Sequence, residues 1–317
     1  MRRILWSLLA ILIPLQQARA DLPPGVVGCD HFYDVAIVGN DVWVVGFPGL
    51  ILHSADGGTT FEQQGPIERE ALFAVQFVDA RTGYISGRGG LVLGTKDGGR
   101  TWTRQETSVK EPLLALAFHG SELGLAVGNF ATAVRTLDGG RTWARVSVAG
   151  EGEDPSLNGV AFLPDGRHAV VVGEFGSAFV SEDAGATFVK VDTGESDNLF
   201  SVTATKDGKV VAVGAMGVIT VSDDMGKTWR RAASGTERHL FRVTAGNGKL
   251  LATGAAGLLL WAEDPASEWH ATRLPTYLWV SAARLAEDGR GVAVGARAFL
   301  VLTRDGGRTW RPFGGEK

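Results

Sequence analysis

Cysteine is almost absent from this chain: Cys29 stands alone among 317 residues, so no internal disulfide can form even in an oxidising compartment. Tyrosine and methionine are scarce, at three residues each. The six histidines (His31, His53, His119, His168, His239 and His270) show no H-x-H or H-x-x-x-H spacing, so no metal site and no cofactor is expected. A G-x-S-x-G elbow is missing, which removes the signature of Ser-His-Asp chemistry. Positive charge is not in excess. A net charge of −4 argues against nucleic acid as the main partner, because phosphate binding needs a basic surface. Beyond residue 20 no stretch keeps a 3.6-residue period and no apolar run is long enough for a membrane span.

What the chain does have is glycine, at 44 residues, with nine tryptophans, 15 phenylalanines and 44% hydrophobic residues overall. That mixture points to many tight turns between short apolar strands. The first residues read Met1-Arg2-Arg3, an apolar run from Ile4 to Leu15, then Ala18-Arg19-Ala20. A basic start, a short apolar core and an A-x-A site predict a signal peptide over 1–20 and a periplasmic or secreted product. Residues 21–31 are then an N-terminal extension and 32–317 the folded domain. Val26-Val27-Gly28-Cys29 loosely resembles a lipidation site, but polar residues and prolines separate it from the apolar run. Cys29 is therefore expected to be a small buried residue.

An eight-residue motif recurs along the chain. It reads SADGGTTF at 54–61, TKDGGRTW at 95–102, TLDGGRTW at 136–143, SEDAGATF at 181–188, SDDMGKTW at 222–229 and TRDGGRTW at 303–310, with a degraded copy, AEDPASEW, at 262–269. The near-constant spacing of roughly 41 residues is the mark of a repeat architecture. Each unit also opens on an apolar strand, such as Leu72-Phe73-Ala74-Val75, Leu114-Ala115-Leu116-Ala117 or Leu278-Trp279-Val280-Ser281, and carries a second strand ending in Gly, such as Val213-Gly214. Four short strands per unit and seven units predict an all-β, seven-bladed propeller of four-stranded antiparallel blades. Whether residues 22–28 add a strand, and whether the ring closes through a shared blade, is left open by the pattern.

Physical chemistry assigns the motif a structural role. Asp56, Asp97, Asp138, Asp183, Asp224 and Asp305 are placed to accept hydrogen bonds from the amides of their own turns. The glycines that follow supply positive φ, and the closing aromatics, among them Trp102, Trp143, Trp229 and Trp310, are expected to pack over a neighbouring sheet.

The motif resembles the Asp-box, or bacterial neuraminidase repeat, and the whole unit (L-F-x-V, then V-G-x-x-G, then S/T-x-D-G-G-x-T-W) resembles the photosystem II stability and assembly factor family. The likeness covers residues 32–313. It implies a non-enzymatic, monomeric scaffold for a membrane complex involved in photosynthesis or, in relatives outside photosynthesis, for an envelope transport system, with membrane contact only through that partner. One family feature is thin here. The photosynthetic members carry an arginine-rich patch in the loops after the second strand, where this chain offers Arg88 and, one place further on, Arg297.

Those loops and the blade connectors vary between units while the framework repeats, so they are the expected binding face. Candidate partner-binding residues are Phe47, Arg88, Asn129, Phe130, Glu174, Phe175, Met216, His239, Tyr277 and Arg297. The alternative is a sialidase-like glycoside hydrolase or carbohydrate-binding propeller. It would need a Tyr nucleophile with its Glu, or two carboxylates in contrasting environments. Tyr277 with Glu237, or Glu70, Glu111 and Glu174, are the available groups, and no catalytic residue is assigned.

Overall fold

The computed structural model describes residues 22–64 and 69–314. The signal-peptide expectation falls on residues 1–20, outside the described part. Among the described residues there are seven antiparallel sheets, each of four strands in simple sequence order. Blade one consists of β1 (His31–Val38), β2 (Asp41–Phe47), β3 (Leu50–Ser54) and β4 (Glu62–Gln63), and the other six repeat this plan. No described helix is long and apolar enough to cross a membrane.

The first strand of each blade contacts the first strands of both neighbours, so it lies innermost, around a central channel. The second strands read as short apolar runs because both of their faces are covered. Val170-Val171-Val172, for example, is fully buried in blade four. Alternate side chains go to opposite neighbours: Val171 joins the cluster shared with blade three, and Val170 and Val172 the cluster shared with blade five. The described residues thus form seven cores, each lying between two blades. The one joining Phe32, Val44 and Leu52 to Val292, Val294 and Leu300 closes the ring from blade one to blade seven.

Closure therefore uses no shared blade. Residues 22–30 form turns and no strand, yet they brace the seam. Val26 packs into the closing core, and the Asp30 carbonyl accepts the Ala298 amide at 2.7 Å. Ser281 Oγ donates to the Phe32 carbonyl at 2.6 Å across the same junction. Cys29 corrects the sequence reading: it is exposed, because Val26 and Asp30 take the inward positions of this segment and leave the thiol on the outside.

Strand register corrects two units. The glycine ending each second strand faces the residue that opens the first, as Gly87 faces Leu72 and Gly214 faces Leu199. By this rule unit three opens at Leu113, opposite Gly128, and unit seven at Val280, opposite Gly295. The expected openings at Leu114 and Leu278 are off by one and two residues. Leu113 and Leu114 are both apolar, so composition cannot choose between them, and Leu278-Trp279 lies in the connector. The glycine itself is required by space. A Cβ at Gly128 would stand 1.8 Å from the Pro112 carbonyl oxygen, and at Gly214 2.1 Å from that of Asn198.

The eight-residue turns have one hydrogen-bond plan. In blade two, Asp97 Oδ1 accepts Thr95 Oγ1 at 2.8 Å and the Thr101 amide at 2.9 Å, Oδ2 accepts Thr101 Oγ1 at 2.7 Å, and Thr95 Oγ1 accepts the Gly99 amide at 2.8 Å. The same bonds recur around Asp56, Asp138, Asp183, Asp224 and Asp305. In the degraded copy Ala262 replaces the hydroxyl residue, and Asp264 instead pairs with Lys209. The closing aromatic packs toward the preceding blade, as Trp102 does edge-on against Trp43 at 6.0 Å.

Candidate partner-binding face

The loops between second and third strands lie at the same end of the blades as the connectors. Arg88 N bonds the Ala71 carbonyl at 2.9 Å, Glu174 N that of Ser156 at 3.1 Å, and Ala215 N that of Asn198 at 2.9 Å. In each case the partner sits just before an innermost strand. Nine of the ten candidate residues are in this set of loops and Phe47 ends β2 beside them, and the structure spreads them around one face.

These loops share an uncommon backbone feature. In blades two to seven the second residue has positive φ, and Gly supplies it only at Gly89; in blade one Pro48 holds that place and Gly49 takes the positive φ. Elsewhere the position holds Phe130 (φ 56°), Phe175 (56°), Met216 (50°), Ala256 (56°) and Arg297 (54°). A left-handed conformation costs an L-residue about 1–2 kcal/mol. It also aims the side chain outward: Phe130, Phe175 and Met216 are 67%, 77% and 47% exposed on three successive blades. Phe47, Tyr277 and Trp279 are exposed on the same face.

The polar candidates are partly engaged. Arg88 faces Glu70 at 3.7 Å, both largely solvated, a pair worth little. Glu174 accepts the Ser156 amide at 2.8 Å, and His239 Nδ1 accepts the Met216 amide at 3.1 Å, so both side chains brace loops. Asn198 does the same for the Phe175 amide at 2.9 Å. Asn129 holds its loop through backbone bonds to Pro112 and Thr132. Arg297 is exposed, its amide donating to His31 Nδ1 at 3.3 Å.

Sequence reasoning missed the centre of this face. Each innermost strand has a bulge near its start that leaves one residue unpaired: Tyr33, Phe73, Leu114, Asn158, Phe200, Phe241 and Ser281. With Arg242 and Trp279 these seven line one cavity of about 490 Å³ at the channel mouth. The readable signal is the doublet in Leu72-Phe73 or Leu199-Phe200. Two adjacent apolar residues break the alternation of a strand unless a bulge sends the second to a separate surface.

Below this collar lies a buried ionic cluster. Asp34 accepts the amides of Val35 (2.9 Å) and Val75 (3.0 Å) and pairs with Arg242 at 3.2 Å, and Arg242 also donates to the Phe73 carbonyl at 3.3 Å. Arg284 donates to the Val35 carbonyl at 3.2 Å. Burial holds its guanidinium below the usual value, with Asp34 opposing that effect and Arg242 adding to it.

Of the groups weighed for glycoside hydrolysis, Glu174 braces its loop and Glu70 faces Arg88, while Tyr277 is exposed. Tyr84 is stacked on Phe118 at 3.6 Å, and burial, with Asp79 and Asp138 nearby, pushes its phenol up to about 12. Backbone amides, with Arg145 beside it, hold the Glu111 carboxyl below its ordinary value. Among the described residues no group of three or more His, Cys, Asp or Glu could hold a metal ion.

Fold and face together define a seven-bladed, all-β propeller whose variable loops surround one mouth of its channel. Residues 63–189 match the family described as photosynthesis system II assembly factor YCF48. The chain therefore resembles that family by direct sequence comparison as well as by its repeats. No curated protein matches it in sequence. Among solved structures it is similar to YCF48 bound to a D1 peptide, with 19% identity over 90% of this chain and 95% of that one and a TM-score of 0.72. It is similar to YCF48 from Cyanidioschyzon merolae, with 15% identity, coverages of 91% and 99% and a TM-score of 0.70. A GH74 xyloglucanase from Xanthomonas campestris shares 17% identity over 89% of this chain and 53% of that protein, with a TM-score of 0.72. At such identities these likenesses establish the fold alone.

Proposed function

We propose that this chain is an exported, non-catalytic, monomeric scaffold that docks a protein partner, a membrane complex or envelope transport system under assembly, on its loop face. The observation that carries the reading is the row of Phe130, Phe175 and Met216. Three apolar side chains are held out to solvent on consecutive blades by backbone conformations that disfavour them. Such strain, kept at apolar side chains that stay exposed, is the kind that accumulates at binding sites. The similar YCF48 propeller solved with a D1 peptide supports a polypeptide ligand. The signal-like first 20 residues support export.

The scarcity of arginine in these loops favours a partner read mainly through apolar contact, with Arg88 and Arg297 as charged anchors. The test is crosslinked pull-down from cell envelopes with the intact chain and with an Arg88→Ser, Phe130→Ser double variant. A defined membrane-protein complex recovered with the first and lost with the second is the expected result. Retention by the variant, or turnover of a glycan panel abolished by Glu174→Gln, overturns the proposal.

A further inference from the structure

The cavity at the channel mouth has two chemically distinct parts. Its wall is the bulge collar, in which Tyr33 and Phe73 rings lie 5.8 Å apart and Phe200 and Phe241 rings 6.0 Å apart. Its floor is Arg242, which reaches across from blade six and also lines the channel below. Among the described residues lining that channel at the depth of Arg242, the charged groups are Asp34, Arg242 and Arg284, two cations against one anion. The other cation of the lining, Lys206, stands in the turn after an innermost strand and has its own partner in Glu287 at 3.4 Å, so it leaves the balance at Arg242 unchanged. A guanidinium has five N–H donors, and the contacts of Arg242 with Asp34 and Phe73 both run through Nη2. Charge and donor capacity are therefore left over beneath an apolar wall.

We infer that the collar and Arg242 form a binding pocket for an apolar carboxylate, with the hydrocarbon against Tyr33, Phe73, Phe200 and Phe241 and the carboxylate on the Arg242 guanidinium. A carboxylate there completes a one-to-one balance of charge in a site where water screens poorly. The hydrocarbon covers half-buried rings that otherwise face solvent. A neutral apolar ligand gains only the second contribution, and a small polar anion only the first. The same chemistry has two sources, a fatty acid or the carboxyl end of a polypeptide with an apolar last residue.

Calorimetric titration of the full chain with decanoate, decanol and decylamine tests the pocket. Saturable decanoate binding is expected, weaker by at least about tenfold for decanol and absent for decylamine, the loss of one charge-assisted bond setting the scale. Arg242→Met should abolish the preference for decanoate over decanol. Phe200→Ala leaves the ionic cluster intact and should weaken both ligands, which keeps the test open if the arginine variant fails to fold. Peptides ending in Val-Phe, as free acid and as amide, identify the source. Competition with decanoate by the acid alone assigns the pocket to chain ends, and no competition by either peptide assigns it to fatty acids. Equal binding of decanol and decanoate, or no saturation with either, overturns the inference. Envelope pull-down is a separate readout, so a pocket that binds nothing leaves the partner-binding proposal standing.

Discussion

At the scale of single residues, the turn aspartates and the left-handed loop residues carry opposite energetic signs. Hydrogen bonds from the threonine four residues on hold the carboxyls of Asp97, Asp138, Asp183 and Asp305 at about 2, against an ordinary 3.8. A carboxyl depressed in the folded state stabilises above its unfolded value and loses that contribution as pH falls through the folded one. Stability should therefore fall between about pH 4 and pH 2, and Asp138→Asn, which cannot ionise, should flatten part of the fall. Thermal unfolding followed by circular dichroism across that range measures both slopes, and parallel curves would refute the assignment. The loop residues work the other way. Phe175 buries little, so Phe175→Gly should be neutral or stabilising by up to about 1 kcal/mol in urea titration. Its neighbour is the control. Gly176→Ala places a Cβ 1.9 Å from the Glu195 carbonyl oxygen at φ +65° and should destabilise clearly.

At the scale of strands and segments, the sequence carries spacing better than register. The eight-residue motif marks its turn by chemistry that no other residue set reproduces: a carboxylate, a hydroxyl two places earlier and glycine at positive φ. Seven blades could thus be counted before any strand was seen. The opening of the innermost strand has no such marker, and units three and seven slipped because Leu113-Leu114 and Leu278-Trp279-Val280 offer several apolar starts. The outer loops of the candidate face were legible as the positions that differ between copies. The collar was not, because Tyr33, Phe73 and Phe200 repeat like framework while lying on a surface. The segment 22–30 was equally silent: its apolar anchor in the closing core, Val26, looks like any valine beside prolines. Val26→Ala removes two buried carbon groups from the closing core and should cost about 1.5 kcal/mol, read from the urea midpoint. A change within error would mean that this segment only rests on the seam.

At the scale of the whole ring, the Asp34 cluster ties together blades distant in sequence. Arg242 in blade six pairs with Asp34 in blade one and bonds Phe73 in blade two, and Arg284 in blade seven bonds Val35. A ring without a shared blade is held only by contacts between neighbours, so a strut across the channel adds a constraint that no single interface supplies. Its parts are not equivalent. Asp34 is 2% exposed and faces both arginines, so Asp34→Asn leaves two cations opposed in the channel and should cost about 3 kcal/mol or more. Arg242→Met leaves Asp34 with two backbone amides and Arg284 still at hand, and should cost less. In the double variant one opposed cation is gone, so it should be more stable than the sum of the single losses requires. A double-mutant cycle by urea unfolding measures that coupling, and additive losses would show that the three charges act as separate neighbours, not as a strut.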